Sequence, residues 1–497
     1  MPFQTASQNL IRRPKLIAKA ADTPASATPM VTALTAAAAA GTNQLTVASA
    51  ANFVAGPMRV AAGEMLEPVF AVSIAALVIT LARPLQFDHA VDEPVVAQRM
   101  YNLGDVDGDV TINVAQESSD QQSAMRLLPF TILRGNVSIG AQFRLLGTTL
   151  ANLCVALGLP FSKLTGSSTA VDPLLLQTDL TDVDTSINES LFIISERQDG
   201  TLVVHELWSL ATDYTGVSVN FARAQNGAVP VSVMGLSAFM QYDLGVGVNV
   251  PWTALPTYRA TKGTVFRELR EVGVIEATGA TAVIAEAGGD GGDADVGEKP
   301  ITLDVAIAGL VNGDFVIIDS EDQVEVHQTN TVATVTVTLR TGLLREKLNG
   351  TVVQKGVKIP FFTVAAGGVT FNTGGSTTPI PSELRDLPIG MQKTAVQATM
   401  SFATLDMLVA NVARAIGVPA SQVSGGGALL SKLIASRTIV GAYFEGITQS
   451  GMFCRVIIWG ASQEVQSFAL ALGAANPAQT PYALRPASGV QFTQWTV

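Results

Sequence analysis

The chain has 497 residues, of which 48% are hydrophobic and only 14% charged, against roughly 25% charged in typical soluble domains. This composition is too apolar for a disordered chain, and the length predicts two to four domains. The net charge of −11 disfavours a protein that grips nucleic acid, because phosphate binding needs a basic surface. So low a charge content favours a chain that hides much of its surface in an assembly.

Cysteine use and hydropathy exclude two further classes of protein. Cys154 and Cys454 are the two cysteines, and their wide separation predicts no disulfide framework and favours a reducing compartment. The N-terminal sequence lacks the apolar run of a signal peptide. The longest apolar stretch, residues 69–82, is shorter than the roughly 20 residues of a membrane helix, so we expect no membrane insertion.

Short β-branched runs between glycines and prolines predict a small all-β module at residues 31–100. Its strands are expected at residues 45–47, 78–81 and 95–96. A second such module is expected at residues 277–356. There residues 331–339, TVATVTVTL, alternate valine and threonine and predict one half-buried strand.

A larger unit follows each module, and the spacing of its hydrophobic residues changes along the chain from a strand period to a helix period. Alternation at residues 109–114 and 136–145 predicts two strands, and the polar residues between them predict a long hairpin or loop that reaches away from the core. An apolar stripe then predicts an amphipathic helix that Gly158 and Pro160 end. The stripe consists of Leu150, Leu153, Cys154 and Leu157. Further strands are predicted at residues 191–194, 201–208, 217–221 and 229–233.

The chain contains an internal duplication. Residues 108–160 align without a gap on residues 367–419, with 16 of 53 positions identical. The similarity continues downstream at a shift of 251 residues, where Trp208 aligns with Trp459. The small modules match each other too, and the helical stripe recurs at Val409, Val412, Ala413 and Ile416. Both copies therefore consist of a larger unit with an inserted module.

These residues carry a family resemblance. The sequence resembles the tail tube proteins of long-tailed, siphovirus-like bacteriophages. The resemblance lies in the order of four features: the GDVTI strand, the polar segment after it, the alternating strand and the helix ending in ALGLP. The resemblance implies a mainly β fold with two tandem tail-tube-type β-sandwich or barrel domains. Each would have one flanking α-helix and carry an inserted Ig-like or barrel-like module.

The resemblance also sets the expected domain boundaries. The first tube domain is expected at residues 1–30 and 101–245, with module 1 at 31–100 and a linker at 246–256. The second tube domain is expected at residues 257–276 and 357–497, with module 2 at 277–356. An insertion at these places is expected to project from the outside of a ring.

The implied function is structural. Such a protein self-assembles into stacked trimeric, pseudo-hexameric rings that form the tail tube, the conduit for viral DNA ejection. Its expected partners are further copies of itself and the tape measure, tail terminator and distal tail proteins, while DNA passes without specific binding. Assembly is expected in the host cytoplasm and the final location is the virion. The alternatives are another ring of the same fold, such as a distal tail or terminator protein, and a surface adhesin built of β modules.

Two sets of residues are candidate sites under this hypothesis. The small or polar alternates of the two inner strands are expected to face the lumen: Thr111, Asn113, Ser138, Gly140 and Gln142. Arg126 and Arg385 align with each other in the polar segments that connect the two predicted strands of each copy. They are expected either to pair with acidic residues of a neighbouring subunit or to be simply exposed.

Catalytic chemistry is not indicated. His89, His205 and His327 lack a second histidine or a cysteine at metal-ligand spacing. No phosphate-binding loop, nucleophile elbow or zinc-protease motif occurs in the sequence. We therefore expect no enzyme activity, no metal site and no cofactor.

Overall fold

The computed structural model shows a mainly β protein. The described residues are 11–22, 30–51, 53–62, 65–104, 106–121, 131–146, 149–179, 188–197, 200–212, 217–221, 228–244, 266–285, 293–319, 323–361, 364–380, 390–404, 423–424, 427–428, 441–448, 451–463, 480–486 and 488–496. Within these ranges, no helix combines the length and the hydrophobicity needed to span a membrane.

The described part of the first half consists of strands, one short α-helix and a 3₁₀ turn. The strands are β1 Ile11–Asp22, β2 Val31–Ala33, β3 Gln44–Thr46, β4 Gly56–Val60, β5 Glu67–Ala75, β6 Val78–Leu81, β7 Pro94–Gly104, β8 Thr111–Gln121, β9 Thr131–Leu146, β10 Leu174–Thr178, β11 Ser190–Arg197, β12 Leu202–Thr212, β13 Val217–Phe221 and β14 Ala228–Leu244. The helices are α1 Leu150–Ala156 and a 3₁₀ turn at Phe161–Lys163.

The described part of the second half consists of strands. They are β15 Phe266–Val283, β16 Pro300–Thr302, β17 Phe315–Asp319, β18 Glu325–Ala333, β19 Thr336–Leu339, β20 Val352–Phe361, β21 Val364–Ile380, β22 Gly390–Thr404, β23 Val423–Ser424, β24 Gly427–Ala428, β25 Gly441–Thr448, β26 Met452–Trp459, β27 Ser462–Gln463, β28 Thr480–Arg485 and β29 Gly489–Thr496. The helix predicted from Val409 to Ile416 lies outside the described residues.

The helix α1 confirms the prediction made from the apolar stripe and from Gly158. The Thr149 hydroxyl accepts a hydrogen bond from the Asn152 backbone N–H at 3.2 Å and caps the first turn. At the other end Gly158 has φ +62, which a glycine adopts without strain. The N–H groups of Gly158 and Leu159 donate to the carbonyls of Val155 and Cys154, which is the Schellman pattern of a helix end.

Three large antiparallel sheets organise the described strands. A 12-stranded sheet has the order β3-β6-β5-β4-β7-β1-β11-β12-β14-β9-β8, with β2 on β7. A 10-stranded sheet has the order β10-β29-β26-β25-β15-β20-β17-β18-β19-β16, and a 5-stranded sheet has the order β13-β21-β22-β28-β27.

The strand registers repeat the duplication found in the sequence. Thr111 faces Gln142 on β8 and β9, and the aligned Thr370 faces Ser401 on β21 and β22. In the same way His205 faces Gln241, and Val456 faces Phe492. Because a one-residue slip would reverse every side chain of a strand, matching registers show that both copies place the same positions on the same faces.

The smaller modules share strands with the larger units. We call unit 1 the strands β1 and β8 to β14 with α1, and unit 2 the strands β21 to β29 with the first half of β15. Module 1 is β2 to β6 with the start of β7, and module 2 is β16 to β19 with the start of β20. Strand β7 pairs with β2 and β4 of module 1 at its start and with β1 of unit 1 at its end. The expected boundaries near residues 100, 276 and 356 therefore fall inside or beside continuous strands.

One predicted strand is wrong in its extent. Residues 331–339 form a hairpin of β18 and β19, in which Ala333 faces Thr336 and Thr334 has φ +50. Module 1 has the same turn, with Ala75 facing Val78 and Ala76 at φ +56. The alternation of valine and threonine continues through the two-residue turn, so the period alone does not reveal the reversal.

The two larger units share one hydrophobic core. The largest buried cluster joins side chains of both units, including Phe143 and Leu153 of unit 1 and Phe371 and Phe492 of unit 2. Each module has a separate core of its own, around Val69 in module 1 and around Val316 in module 2. The architecture is therefore one joint β body that carries two smaller β layers.

Candidate functional site

The five residues predicted to face a lumen lie together on one face of the β8–β9 hairpin. Thr111 faces Gln142, Asn113 faces Gly140, and Ser138 faces Ala115. Alternate residues of a strand share a face, so all five positions lie on the same side. Thr111, Asn113 and Gln142 are exposed, and Ser138 and Gly140 are half-buried. That this face lines a lumen stays a prediction.

The opposite face of the hairpin packs into the shared core. Ile139, Ala141 and Phe143 are buried there among the side chains of both units. The hairpin thus has one polar face and one apolar face that packs into the core. This difference fixes its register, because a slip by one residue would bury the polar positions.

The corresponding face of unit 2 has the same chemical character. Thr370 faces Ser401, Asn372 faces Thr399, and Gly374 faces Gln397. At these positions unit 2 has uncharged polar residues or glycine, and unit 1 has the same apart from Ala115 opposite Ser138. Arg144, two residues beyond Gln142 on the same face of β9, is exposed and lies 3.9 Å from Asp107.

A strand of unit 1 completes a sheet of unit 2. Strand β13 belongs to unit 1 by sequence, yet it pairs with β21: Val217 faces Thr373, Val219 faces Phe371, and Phe221 faces Val369. Val219 and Phe371 are 0% and 1% exposed. The pairing covers an edge of the unit 2 sheet with a strand that comes from unit 1. Among the described strands β13 pairs with β21 alone, so this sheet is separate from the 12-stranded sheet of unit 1.

A second strand of unit 1 adds to the other sheet of unit 2. Strand β10 pairs with β29 from Leu174 opposite Gln494 to Thr178 opposite Val490. From the same strand the Gln177 side-chain amide donates to the Gly342 carbonyl of module 2 at 3.1 Å. Unit 1 thus contributes two strands to unit 2, and its β10 also touches the module that unit 2 carries.

In unit 1 the equivalent edge has no second strand among the described residues. Strand β8 holds the place that β21 holds in unit 2, and within the described residues its strand partner is β9. Val114 of β8 is 59% exposed, whereas the aligned Thr373, which lies beside β13, is 2% exposed. Among the described residues, the edge is therefore covered in unit 2 and uncovered in unit 1.

Module 1 closes around a buried glutamate. The Glu67 carboxylate accepts hydrogen bonds from the backbone N–H groups of Gln86 and Phe87 at 2.9–3.1 Å. Arg83 pairs with it at 2.9 Å, and the His89 ring lies 3.4 Å away. Because a buried carboxylate is costly unless it is paired, this set of donors fixes residues 83–89 against β5.

The same cluster joins module 1 to unit 1. Arg83 also reaches Glu206 of β12 at 3.4 Å and lies 5.1 Å from the ring of Trp208. Glu206 accepts from the Trp208 indole N–H at 2.8 Å and from the Tyr242 hydroxyl at 2.6 Å. Phe87 packs edge-on against Trp208 at 5.6 Å. We call this set of contacts joint 1.

Module 2 repeats the arrangement with different cations. Glu325 accepts from the backbone N–H groups of Leu344 and Arg345 at 2.9 and 3.0 Å. The Lys347 ammonium lies 3.2 Å from this carboxylate, and the His327 ring lies 2.9 Å from it. All three charged or titratable side chains are 0% exposed.

Module 2 meets unit 2 at the aligned tryptophan. The Trp459 indole N–H donates to the Val326 carbonyl at 3.1 Å, and the His327 ring centre lies 5.6 Å from that of Trp459. Arg455 of β26 donates to Gln328 at 2.6 Å and to Glu445 at 2.7 Å. We call the contacts around Glu325 and Trp459 joint 2.

The charged groups of the joints have shifted pKa values. Burial alone lowers the pKa of His89, but hydrogen bonds to Glu67 and Glu93 outweigh it and leave the pKa raised. Burial raises the pKa of Glu206 although Arg83 opposes the shift. In joint 2 burial alone would raise the pKa of Glu325, but His327 and Lys347 hold it below its ordinary value. Burial lowers the pKa of Lys347 itself.

Among the described residues, no group of three or more histidine, cysteine or acidic side chains is arranged to hold a metal ion. The third histidine, His205, is buried on β12, and burial lowers its pKa. Cys154 and Cys454 are buried and free. Burial raises the pKa of both thiols, which keeps them protonated and unreactive.

Arg126 and Arg385, the predicted subunit-contact residues, lie outside the described residues. Their role stays a prediction.

Comparisons with known proteins add no relative. The sequence matches no protein-family model, and no curated protein matches it.

Sequence reasoning missed the two buried glutamates. Glu67 and Glu325 precede the cations His89 and Lys347 by 22 residues in both modules, and this equal spacing was a usable signal. The pairing of unit 1 strands with unit 2 strands had no such signal, because the alternation of residues in a strand does not indicate which other strand it pairs with.

Proposed function

We propose that this chain is the main subunit of the tail tube of a long-tailed bacteriophage. In this proposal three chains form a ring of six similar units, and stacked rings form the conduit for DNA. The tape measure, terminator and distal tail proteins are its proposed virion partners. The protein acts by shape and surface chemistry, without catalysis or a cofactor.

The observation that carries the proposal is the pairing of β13 with β21. A strand of one repeat adds to the sheet of the next repeat, so one repeat covers a sheet edge of the other. A chain of such units that closes on itself has no exposed sheet edge, and this is the condition for a stable β ring.

The chemistry of the β8–β9 face supports the conduit part of the proposal. The paired positions of this face are uncharged in both copies. DNA binds proteins mainly through lysine and arginine that displace its counterions. The one cation beside these positions, Arg144, lies 3.9 Å from the Asp107 carboxylate, so the face offers the phosphates little to hold and DNA can slide along it.

Electron microscopy of the purified protein tests the assembly. We expect rings or hollow tubes with pseudo-sixfold symmetry, and three chains per ring by native mass spectrometry. A monomer at every concentration, with no tubes in the images, would contradict the proposal.

A charge substitution tests the conduit. We expect the triple variant Thr111→Lys, Ser138→Lys, Gln142→Lys to assemble, because Thr111 and Gln142 are exposed and Ser138 is half-buried. DNA ejection from virions that carry it should slow or stop at low salt and recover at high salt, since salt competes with phosphate contacts. The matched control places three lysines on the modules, at Val54, Val305 and Leu348, which are 69%, 51% and 64% exposed. Equal ejection by both variants would show that the β8–β9 face does not meet DNA.

A further inference from the structure

A cleft between module 2 and unit 1 has an excess of positive charge. It encloses about 290 Å³. One wall is the segment of unit 1 that runs from the 3₁₀ turn into β10, and the other wall is formed by the loops of module 2 that precede β16 and follow β19. Its charged lining residues are Lys163 and Asp172 of unit 1 and Lys299 and Arg340 of module 2. Three cations therefore meet one carboxylate there, although the net charge of the chain is −11.

One of these cations already has its counterion. The Lys299 ammonium lies 2.9 Å from the Asp172 carboxylate and connects the two walls of the cleft. The hydrogen bond from Lys299 holds the pKa of Asp172 below its ordinary value, so the carboxylate is ionised at neutral pH. Lys299 and Asp172 neutralise each other, and the positive charge of Arg340 is not compensated by this pair.

Arg340 has no carboxylate partner among the described residues. In that part of the chain its guanidinium donates one hydrogen bond, from Nη1 to the Ala170 carbonyl at 3.3 Å, and its buried Nε has no hydrogen-bond partner. Burial, together with the like charge of Arg455, lowers the pKa of Arg340. A partly buried guanidinium without an anion is costly. An anion bound in the cleft would remove this cost.

Module 1 shows that the fold of the module does not require these cations. The N–H of the last residue of β6 donates to the Asn43 carbonyl, and the N–H of the last residue of β19 donates to the Lys299 carbonyl, both at 2.8 Å. The next residue is Ala82 in module 1 and Arg340 in module 2. The backbone contacts are the same in both modules, and the two cations occur in the module whose loops face the unit 1 wall of the cleft.

We propose that this cleft binds a small ligand through a phosphate group, held between Lys163 of unit 1 and Arg340 of module 2. A phosphate monoester carries about −1.5 to −2 charges at pH 7, which matches the excess of cations in the lining. The planar guanidinium suits phosphate oxygens because it presents paired N–H donors. The volume lies near the lower end of the range of about 300–1,000 Å³ for small-molecule sites, so the ligand is small.

Such a ligand has a structural effect, because it contacts both walls of the cleft. It adds a bridge between module 2 and unit 1 beside the ion pair of Lys299 and Asp172. The inference goes beyond the proposed tube function and does not depend on it, since the site lies within one chain.

Calorimetric titration of the full-length protein tests the site. The probes are inorganic phosphate and glycerol phosphate, added separately in chloride buffer at constant ionic strength. We expect saturable binding and a higher midpoint of thermal unfolding, because a ligand that binds the folded state stabilises it. Hydrogen exchange with and without phosphate locates the ligand, and protection should rise in residues 163–175 and 340–344. No saturable binding of either probe, or increased protection only elsewhere, would overturn the proposal.

Variants that copy module 1 test the assigned residues. Arg340→Ala leaves the pair of Lys299 and Asp172 intact, and its affinity for phosphate should fall about tenfold or more, as expected when a charge-assisted contact is lost. The double variant Lys299→Asn, Arg340→Ala should bind still more weakly and should fold, because module 1 has these residues at the aligned positions. The matched control Arg197→Gln removes a cation that pairs with Asp243 and does not line the cleft, so its affinity should stay within about twofold of the unmodified protein.

A carboxylate placed in the cleft gives a test with the opposite sign. Thr165 is exposed and lines the cleft. Thr165→Glu should abolish phosphate binding and raise the thermal midpoint in the absence of phosphate, because the new carboxylate neutralises the cations. A lower midpoint with unchanged phosphate binding would show that the cleft does not hold an anion.

The remaining outcomes separate the site from non-specific attraction and from another ligand class. Equal affinity of Arg340→Ala and the unmodified protein, or equal weakening by Arg340→Ala and Arg197→Gln, would overturn the site. Binding of succinate as strong as that of phosphate would overturn the phosphate assignment and indicate a carboxylate ligand. Tubes without phosphate binding would leave the proposed function standing, and phosphate binding without tubes would leave the site standing.

Discussion

Joint 1 and joint 2 hold their glutamates with the same backbone contacts but with different cations. Two consecutive N–H groups bind Glu67 in module 1 and Glu325 in module 2. The position 22 residues later is histidine in one and lysine in the other. The strand registers of the two modules agree, while the side-chain partners differ. The comparison teaches that the register sets the position of the carboxylate, and that different cations can then neutralise it.

The joints also differ in what they touch. Joint 1 connects module 1 to β12 of its own unit through Arg83 and Glu206, and nearby the Ser237 hydroxyl of β14 donates to the Leu66 carbonyl of module 1 at 3.1 Å. Module 2 contacts unit 2 and in addition unit 1, through Lys299 with Asp172 at 2.9 Å and Arg345 with Asp179 at 3.3 Å. Module 2 therefore lies against both repeats.

The largest difference in stability between the two halves is expected when each module is removed. We would delete residues 23–97 or residues 278–355 and close each gap with a short Gly/Ser bridge, which leaves β1 with β7 or β15 with β20 as a hairpin. The loss of module 2 should lower stability more, because β10 also loses its contact with Gly342. Urea unfolding and hydrogen exchange of β10 measure this. Equal destabilisation by the two deletions would contradict the structural difference between the modules.

Replacing the glutamate of each joint with glutamine should also destabilise the two joints by different amounts. Glu325→Gln leaves the fully buried Lys347 ammonium without its carboxylate, which costs about 3–5 kcal/mol for a buried pair. Glu67→Gln should cost less, about 1–3 kcal/mol, because Arg83 keeps Glu206 as a second carboxylate partner and His89 can release its proton. Chemical denaturation of the two variants checks the order, and the Glu93→Gln variant in the partly exposed neighbour of His89 is the mild control. A larger loss for Glu67→Gln would reverse our interpretation.

The two joints should respond to pH with opposite sign. The pKa of His89 is raised above 6.5, so its stabilisation is complete below that pH and is lost as pH rises through the folded-state pKa. The pKa of Glu206 is raised above 4.5, so joint 1 also weakens as pH rises above that value. The pKa of Glu325 is lowered below 4.5, so joint 2 keeps its stabilisation above that pH and loses it as pH falls through the folded-state pKa.

Hydrogen exchange of the two loops measures this contrast. After correction for the intrinsic pH dependence, protection of residues 83–89 should fall from pH 5 to pH 8, and protection of residues 341–347 should not. In a His89→Gln variant the change in residues 83–89 should become smaller. The same pH trend in both loops would show that these groups do not govern the joints.

The smallest effect is expected at the hairpin turns. Thr334 and Ala76 have φ +50 and +56, a conformation that costs side-chain-bearing residues about 1–2 kcal/mol. Thr334→Gly should stabilise module 2 by up to about 1 kcal/mol, and Ala76→Gly should stabilise module 1 by less, since a β-branched residue is more strained there. Thermal unfolding of both variants tests the order, and a destabilising Thr334→Gly would contradict the turn geometry.

Local order was well predicted from the sequence. The stripe at Leu150 with Gly158 gave the helix, and alternation gave the strands of the β8–β9 hairpin. Both signals are local, since they arise from helix and strand periods and from glycine conformation. The polar face of the hairpin followed from the same alternation.

Long-range partners were beyond this reasoning. Glu206 meets Arg83 across 123 positions, and the periodicity of neither segment indicates the other. Lys19 forms a buried ion pair with Glu189 on the strand layer of unit 1, whereas Val274 takes the equivalent place beside β25 in unit 2. A buried charge pair depends on how three-dimensional neighbours are arranged, and a repeat alignment shows only that one copy lacks it.

Strand β7 has a mechanical consequence. Its start, Pro94–Ala97, hydrogen-bonds to module 1, and its end, from Gln98 onward, hydrogen-bonds to β1 of unit 1. A pull on the module along this strand loads a row of hydrogen bonds in shear. A force applied to the module therefore reaches β1 directly through the backbone of β7.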